Sequence, residues 1–184
     1  MRGQPQQDVH RQLRQEMHRT HERIAEVARA LDPEQLVRRP APGKWSVGDV
    51  LEHLLLMDEL FLPAVEPLVR AAPRDSTAVA RPWHPSFLGN QIAESLARPS
   101  PLNAPKKTLP TMPRPAVVER FVEDAARIEG VLDDSTSLDW NAVRLRPPVA
   151  PWLPIKINLG DVFRIHTVHV QRHLGQIERV AAAL

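Results

Sequence analysis

Four stretches of this chain repeat their apolar residues every three or four positions, and most of its 19 prolines lie outside them. A proline inside a helix or a central strand removes a backbone donor and clashes with the preceding turn. The pattern predicts an all-α fold, a four-helix bundle with long proline-rich connections. The first stretch runs from Gln6 to Leu31, with Leu13, Met17, Ile24 and Leu31 on its stripe, and Asp32-Pro33 closes it. The second begins at Ser46, with Asp49 completing a shortened capping box. Val47, Val50, Leu51, Leu54, Leu55, Met57 and Leu60 make it broadly apolar, as suits a central helix, and Pro63 and Pro67 are expected to kink or end it. The third runs from about Pro115 to Val131. The fourth starts near Asn158, an N-cap with Asp161 behind it, and continues to the end. Residues 72–114 and 133–157 lack a long periodic pattern. The longer of the two is expected to be a crossover, a lid over a substrate or partly disordered. Pieces such as Val143-Arg144-Leu145 read as strand but are too few for a sheet.

At 184 residues the chain suits a single domain, 1–184, with a sizeable core. No apolar run is long enough for a membrane span, and the polar N-terminus lacks the apolar core of a signal peptide, so a cytoplasmic protein is expected. The net charge is +2, and Arg11, Arg14, Arg19, Arg23 and Arg29 alternate with Glu16, Glu22 and Glu26. That reads as a solvated helix face, not a nucleic-acid surface. Cysteine is absent, which excludes disulfides, thiolate ligands and a cysteine nucleophile. Histidine and carboxylate remain as metal-ligand types.

The last helix carries His166, His169 and His173 within an arc of about 60°, on the face of its apolar stripe. His166 and His173 are roughly 10 Å apart along the axis, too far to share an ion. The pair is then His169 with His173, or His166 with His169, and the i,i+4 spacing is the usual one. His53, on the broadly apolar second helix, is the candidate third ligand. Buried neutral imidazoles without partners are costly, and a metal ion removes that cost. His10, His18, His21 and His84 are read as satisfied or exposed residues, and His18 and His21, with mixed polar neighbours, are expected to be exposed. Glu52 is expected at the surface, Trp45 in core packing, and Arg172 in solvent. Asp49, one turn before His53, is a candidate partner for its imidazole, with capping as its competing role.

The segment Gly43-Lys44-Trp45-Ser46-Val47 through His53-Leu54 resembles the opening of the second helix in the DinB-like superfamily. The ending His169-Val-Gln-Arg-His173-Leu-Gly-Gln176 is similar to that superfamily's last-helix signature. The resemblance covers essentially the whole domain in order and spacing and is specific at these two motifs. It implies a four-helix bundle holding one divalent ion, often nickel or zinc, on His53, His169 and His173. His166 then has a place in the pocket or beside the ligands. Characterised members include transferases that use low-molecular-weight bacterial thiols such as bacillithiol or mycothiol. The resemblance departs between Arg98 and Pro115, where the connection shapes the mouth of the site and therefore substrate choice.

Three protein ligands leave coordination positions open for a thiol or a water. The expected function is a metal-dependent enzyme, foremost a thiol-dependent S-transferase. A metal-dependent hydrolase and a non-catalytic metal-binding stress-response bundle are the alternatives. The expected partner is a small-molecule substrate, with no nucleic acid and no membrane, for a monomer or homodimer.

Overall fold

The structure is a computed structural model that describes residues 3–98 and 104–184. Helix α1 (Gln6–Arg29) buries Val9, Leu13, Met17, Ile24 and Ala28 on one face. A short α2 (Pro33–Val37) follows, capped by Asp32 with Pro33 in its first turn. Helix α3 (Val47–Ala71) starts at a complete capping box, in which Asp49 N donates to Ser46 Oγ and Ser46 N to the Asp49 carboxylate, both at 3.0 Å. Helix α4 (Phe87–Ala97) is capped by Ser86, and α5 (Val117–Asp134) supplies the third long helix. Helix α6 (Leu159–Ala181) starts at a second capping box, Asn158 with Asp161.

Helices α1 and α3 each pack against both α5 and α6, which closes the expected four-helix bundle. The apolar core divides in two. One part gathers Leu13, Met17, Phe61, Trp83, Trp140 and Phe163, the other Ile24, Leu51, Leu54, Phe121, Val170 and Ile177. On each of three helices a buried polar residue falls between the two parts. It is His21 on α1, Asp58 on α3 and His166 on α6. His21, Asp58 and His166 therefore mark a polar level inside an otherwise apolar bundle.

Three expectations need correction. Helix α3 continues through Pro63 and Pro67 to Ala71 instead of ending at them. Both prolines sit one turn apart on the exposed face, where a carbonyl that loses its helical donor is hydrated, while Phe61, Leu62, Val65 and Val69 hold the opposite face in the core. The 72–114 connection contains α4, which packs along α6, and two 3₁₀ turns, Ala78–Ala80 and Lys106–Thr108. Residues 99–103 of that connection lie outside the described residues. The strand-like piece does pair, as β1 (Arg144–Leu145) antiparallel to β2 (Ile157–Asn158). This two-residue ladder delivers the chain into α6. No helix among the described residues is long and apolar enough to cross a membrane.

Close contacts fix the start of α6. A Cβ on Gly160 would lie 2.2 Å from Trp83 Nε1 and 2.8 Å from Trp140, and one on Gly89 would lie 2.2 Å from the Asp161 carboxylate carbon. Rings and a paired carboxylate cannot yield at those distances. Gly160→Ala and Gly89→Ala should each cost about 1–3 kcal/mol in chemical denaturation. An unchanged midpoint in either would show that the helix start shifts freely.

Candidate metal centre

His53 stands in the second turn of α3, which the Ser46 cap holds in register, and His169 and His173 face it from α6. One nitrogen from each can be chosen so that all three lie within 4.8 Å of one another, and all three residues are buried. His169 Nε2 is 3.4 Å from His53 Nε2 and 3.1 Å from His173 Nε2.

The outer nitrogens decide what these contacts mean. His53 Nδ1 donates to the Thr108 carbonyl at 2.7 Å, because a carbonyl only accepts. His173 Nδ1 donates to Gln176 Oε1 at 3.0 Å. In the neutral rings, Nε2 of both residues therefore carries a lone pair, and each lone pair meets His169 Nε2. That atom has at most one hydrogen to give, so at least one pair of lone pairs faces another without a proton between them. A divalent cation resolves the conflict. The Nδ1 bonds are the kind of outer contact that orients ligating imidazoles. Three histidine nitrogens suit a borderline ion such as zinc or nickel.

The electrostatics agree. Burial first, and then His173 and His53, drive His169 well below the usual imidazole range. Burial, followed by His53, holds His173 at about 3, and burial lowers His53. All three are neutral at pH 7, the form that ligates. Burial also lowers His10 and His21. Each of the five has a folded-state pKa below its unfolded value, so below about pH 6.5 the unfolded chain binds more protons. The metal-free protein should lose stability as pH falls from 7 to 5, at up to about 1.4 kcal/mol per pH unit for each proton taken up on unfolding. Urea midpoints that stay flat across that window would contradict the neutral, buried assignment.

The cluster closes one side of a cavity of about 810 Å³. Met57, Phe61, Ile92, Leu96, Val162 and Ile165 supply apolar wall, so α4, unforeseen from the sequence, forms part of it. His166 is also in the wall. Its Nε2 donates to Asp58 Oδ1 at 3.0 Å, and its buried Nδ1 has no hydrogen-bond partner among the described residues. His166 is not among the three converging residues.

Several other expectations change. Asp49 does not reach His53; its carboxylate receives the Ser46 amide and the Arg39 guanidinium, the latter at 2.9 Å. Capping wins because the Ser46 amide is adjacent and the His53 Nδ1 proton is already taken by Thr108. His21 is buried, because Glu129 of α5 accepts from its Nδ1 at 2.8 Å while also binding Arg14 and His18. Glu52 is buried by its ion pair with Arg114 at 2.7 Å. Trp45 does pack against the core as expected, and it also stands at the site, its ring 5.1 Å from that of His53 and stacked 6.5 Å from that of His173. Arg172 lines the cavity and ties α6 to the end of α4 through the Leu96 and Arg98 carbonyls. Asp58 and Thr108 carried no signal in the sequence, since their roles depend on residues more than fifty positions away.

A family model described as the DinB superfamily matches residues 16–177, a span that includes all three converging histidines. No curated protein and no solved structure matches the chain.

Proposed function

We propose that this chain, which belongs to the DinB superfamily, is a metal-dependent transferase that joins a small thiol to an electrophilic small molecule. One observation carries the reading. The imidazoles of His53, His169 and His173 converge on the wall of a largely apolar cavity, with the unprotonated Nε2 atoms of His53 and His173 both turned toward His169 Nε2. A divalent ion held by these three keeps coordination positions open and lowers the pKa of a thiol or a water that enters one of them.

The protein's own groups do the rest. Thr108 and Gln176 hold the Nδ1 protons of His53 and His173, so neither ring can turn its lone pair away. Phe61, Ile92, Leu96 and Val162 exclude water and favour an apolar electrophile. The chain has no cysteine, so the thiol must come from solution.

The test is a conjugation assay with 1-chloro-2,4-dinitrobenzene and cysteine, glutathione, bacillithiol or mycothiol, in protein loaded with zinc or nickel. Thiol-dependent product formation that disappears in His53→Ala is expected. Turnover of an activated ester without any thiol would replace the transferase by a hydrolase. Stoichiometric metal with neither activity would leave a binding bundle.

A further inference from the structure

We infer that the site takes an amphipathic anion, its apolar body in the main cavity and its anionic group on Lys44 and Arg179 in an adjoining hollow. That hollow, of about 410 Å³, is lined by Pro40, Lys44, Trp45, Gln176, Arg179 and Val180. Lys44, Trp45 and Gln176 also line the main cavity, so the two spaces meet along those side chains. The shared wall is the one that touches the histidine cluster: Trp45 stacks near His173, and Gln176 accepts from its Nδ1. A molecule spanning both spaces therefore passes beside His173.

The charge in the two spaces is predominantly positive. The outer hollow is lined by Lys44 and Arg179 and by no carboxylate. The main cavity adds Lys106 and Arg172, and its one lining carboxylate, Asp58, is engaged by His166. Several guanidiniums on the bundle are held differently. Arg14, Arg23, Arg39, Arg114 and Arg127 pair with carboxylates, several from a neighbouring helix. Lys44 and Arg179 form no ion pair among the described residues, and the Glu178 carboxylate next to Arg179 is taken by Arg23 at 3.1 Å. Two cations left unpaired in a concave space attract an anion and repel a cation.

Local backbone places them there. Gly43, at φ +73°, closes the turn in which Lys44 N donates to the Ala41 carbonyl, immediately before Trp45. Arg179 lies back along its helix, its Nη1 3.4 Å from the point where a Gly175 Cβ would be, so the guanidinium reaches one turn toward the histidines. A carboxylate, phosphate or sulfonate meets the same two partners, and the apolar wall accounts for the rest of the molecule.

That this ligand is the electrophile rests on the transferase reading, but its binding does not. The experiment is calorimetric titration of zinc-loaded and metal-free protein with decanesulfonate, below its micellar concentration, and with decanol and decylammonium. Sulfonate is a poor metal ligand, so its affinity reports the cations. Decanesulfonate should bind once per chain in both metal states, and Lys44→Glu/Arg179→Glu should weaken it by about tenfold or more while leaving decanol within about twofold. Unchanged decanol binding also shows that the variant is folded. No sulfonate binding, equal affinity in the variant, or decylammonium binding as tightly as the sulfonate would each overturn the proposal. A protein that binds sulfonate but fails the conjugation assay loses the transferase reading and keeps this site. The opposite pair of results does the reverse.

Discussion

Replacing His169 with alanine should abolish metal binding, taking the protein from about one ion per chain to essentially none by elemental analysis. His169 Nε2 is the atom that both of the other imidazoles approach, at 3.4 and 3.1 Å, so its loss leaves two nitrogens on different helices. Removing groups that merely orient a ligand costs about 10–100-fold in affinity, and a ligand itself should cost more. In the parent, free zinc or nickel at about a hundred times its Kd should stabilise the fold by roughly 2.7 kcal/mol, which raises Tm by about 5–10 °C. In His169→Ala that rise should vanish. The metal-free variant should lose less stability than its burial suggests, because deleting one nitrogen relieves the opposed lone pairs. His166→Ala is the control. Its ring bonds Asp58 instead of meeting the other three, so it should lose stability and keep the ion. Equal loss of metal in both variants would mean that the ligand set is wrong.

Trp83→Ala should produce the largest loss of stability, about 3–5 kcal/mol, equivalent to a fall in Tm of roughly 6–20 °C. The indole is fully buried in the core part that contains Trp140 and Phe163. Its Nε1 donates to Asn158 Oδ1 at 3.0 Å, the oxygen that also caps α6. Its backbone pairs with the N-terminal segment through Gly3 and Gln4. The same substitution therefore opens a cavity and loosens the helix start that sets the register of His169 and His173, while the backbone bonds to Gly3 and Gln4 stay in place. Metal affinity should fall with stability, although Trp83 does not line the site. Trp152→Ala is the contrast. That side chain is 74% exposed, so its removal should stay within about 0.5 kcal/mol. Comparable losses for the two tryptophans, read by urea denaturation, would show that Trp83 does not pin α6.

The elements legible in the sequence were those whose apolar residues already form a stripe. The starts of α3 and α6 were legible because Ser46 with Asp49, and Asn158 with Asp161, cap over three residues of chain. Helix α4 escaped notice for the opposite reason. It is short, begins with the largely exposed Phe87 and carries Gly89 and Asn90 early, and part of its apolar face lines a cavity instead of a core. The passage of α3 through Pro63 and Pro67 was equally hidden, since proline rules describe the local penalty and not the packing of Phe61, Val65 and Val69 that outweighs it.

For the site, the sequence by itself determined which helix faces carry His53, His169 and His173, because helical periodicity is a property of neighbouring residues. It could not decide what each nitrogen meets. That His53 donates to Thr108, that His166 belongs with Asp58, and that Glu129 draws His21 into the interior are contacts across 55, 108 and 108 positions of chain. Only the tertiary structure settles them, because the protonation and orientation of an imidazole depend on the group opposite it in space.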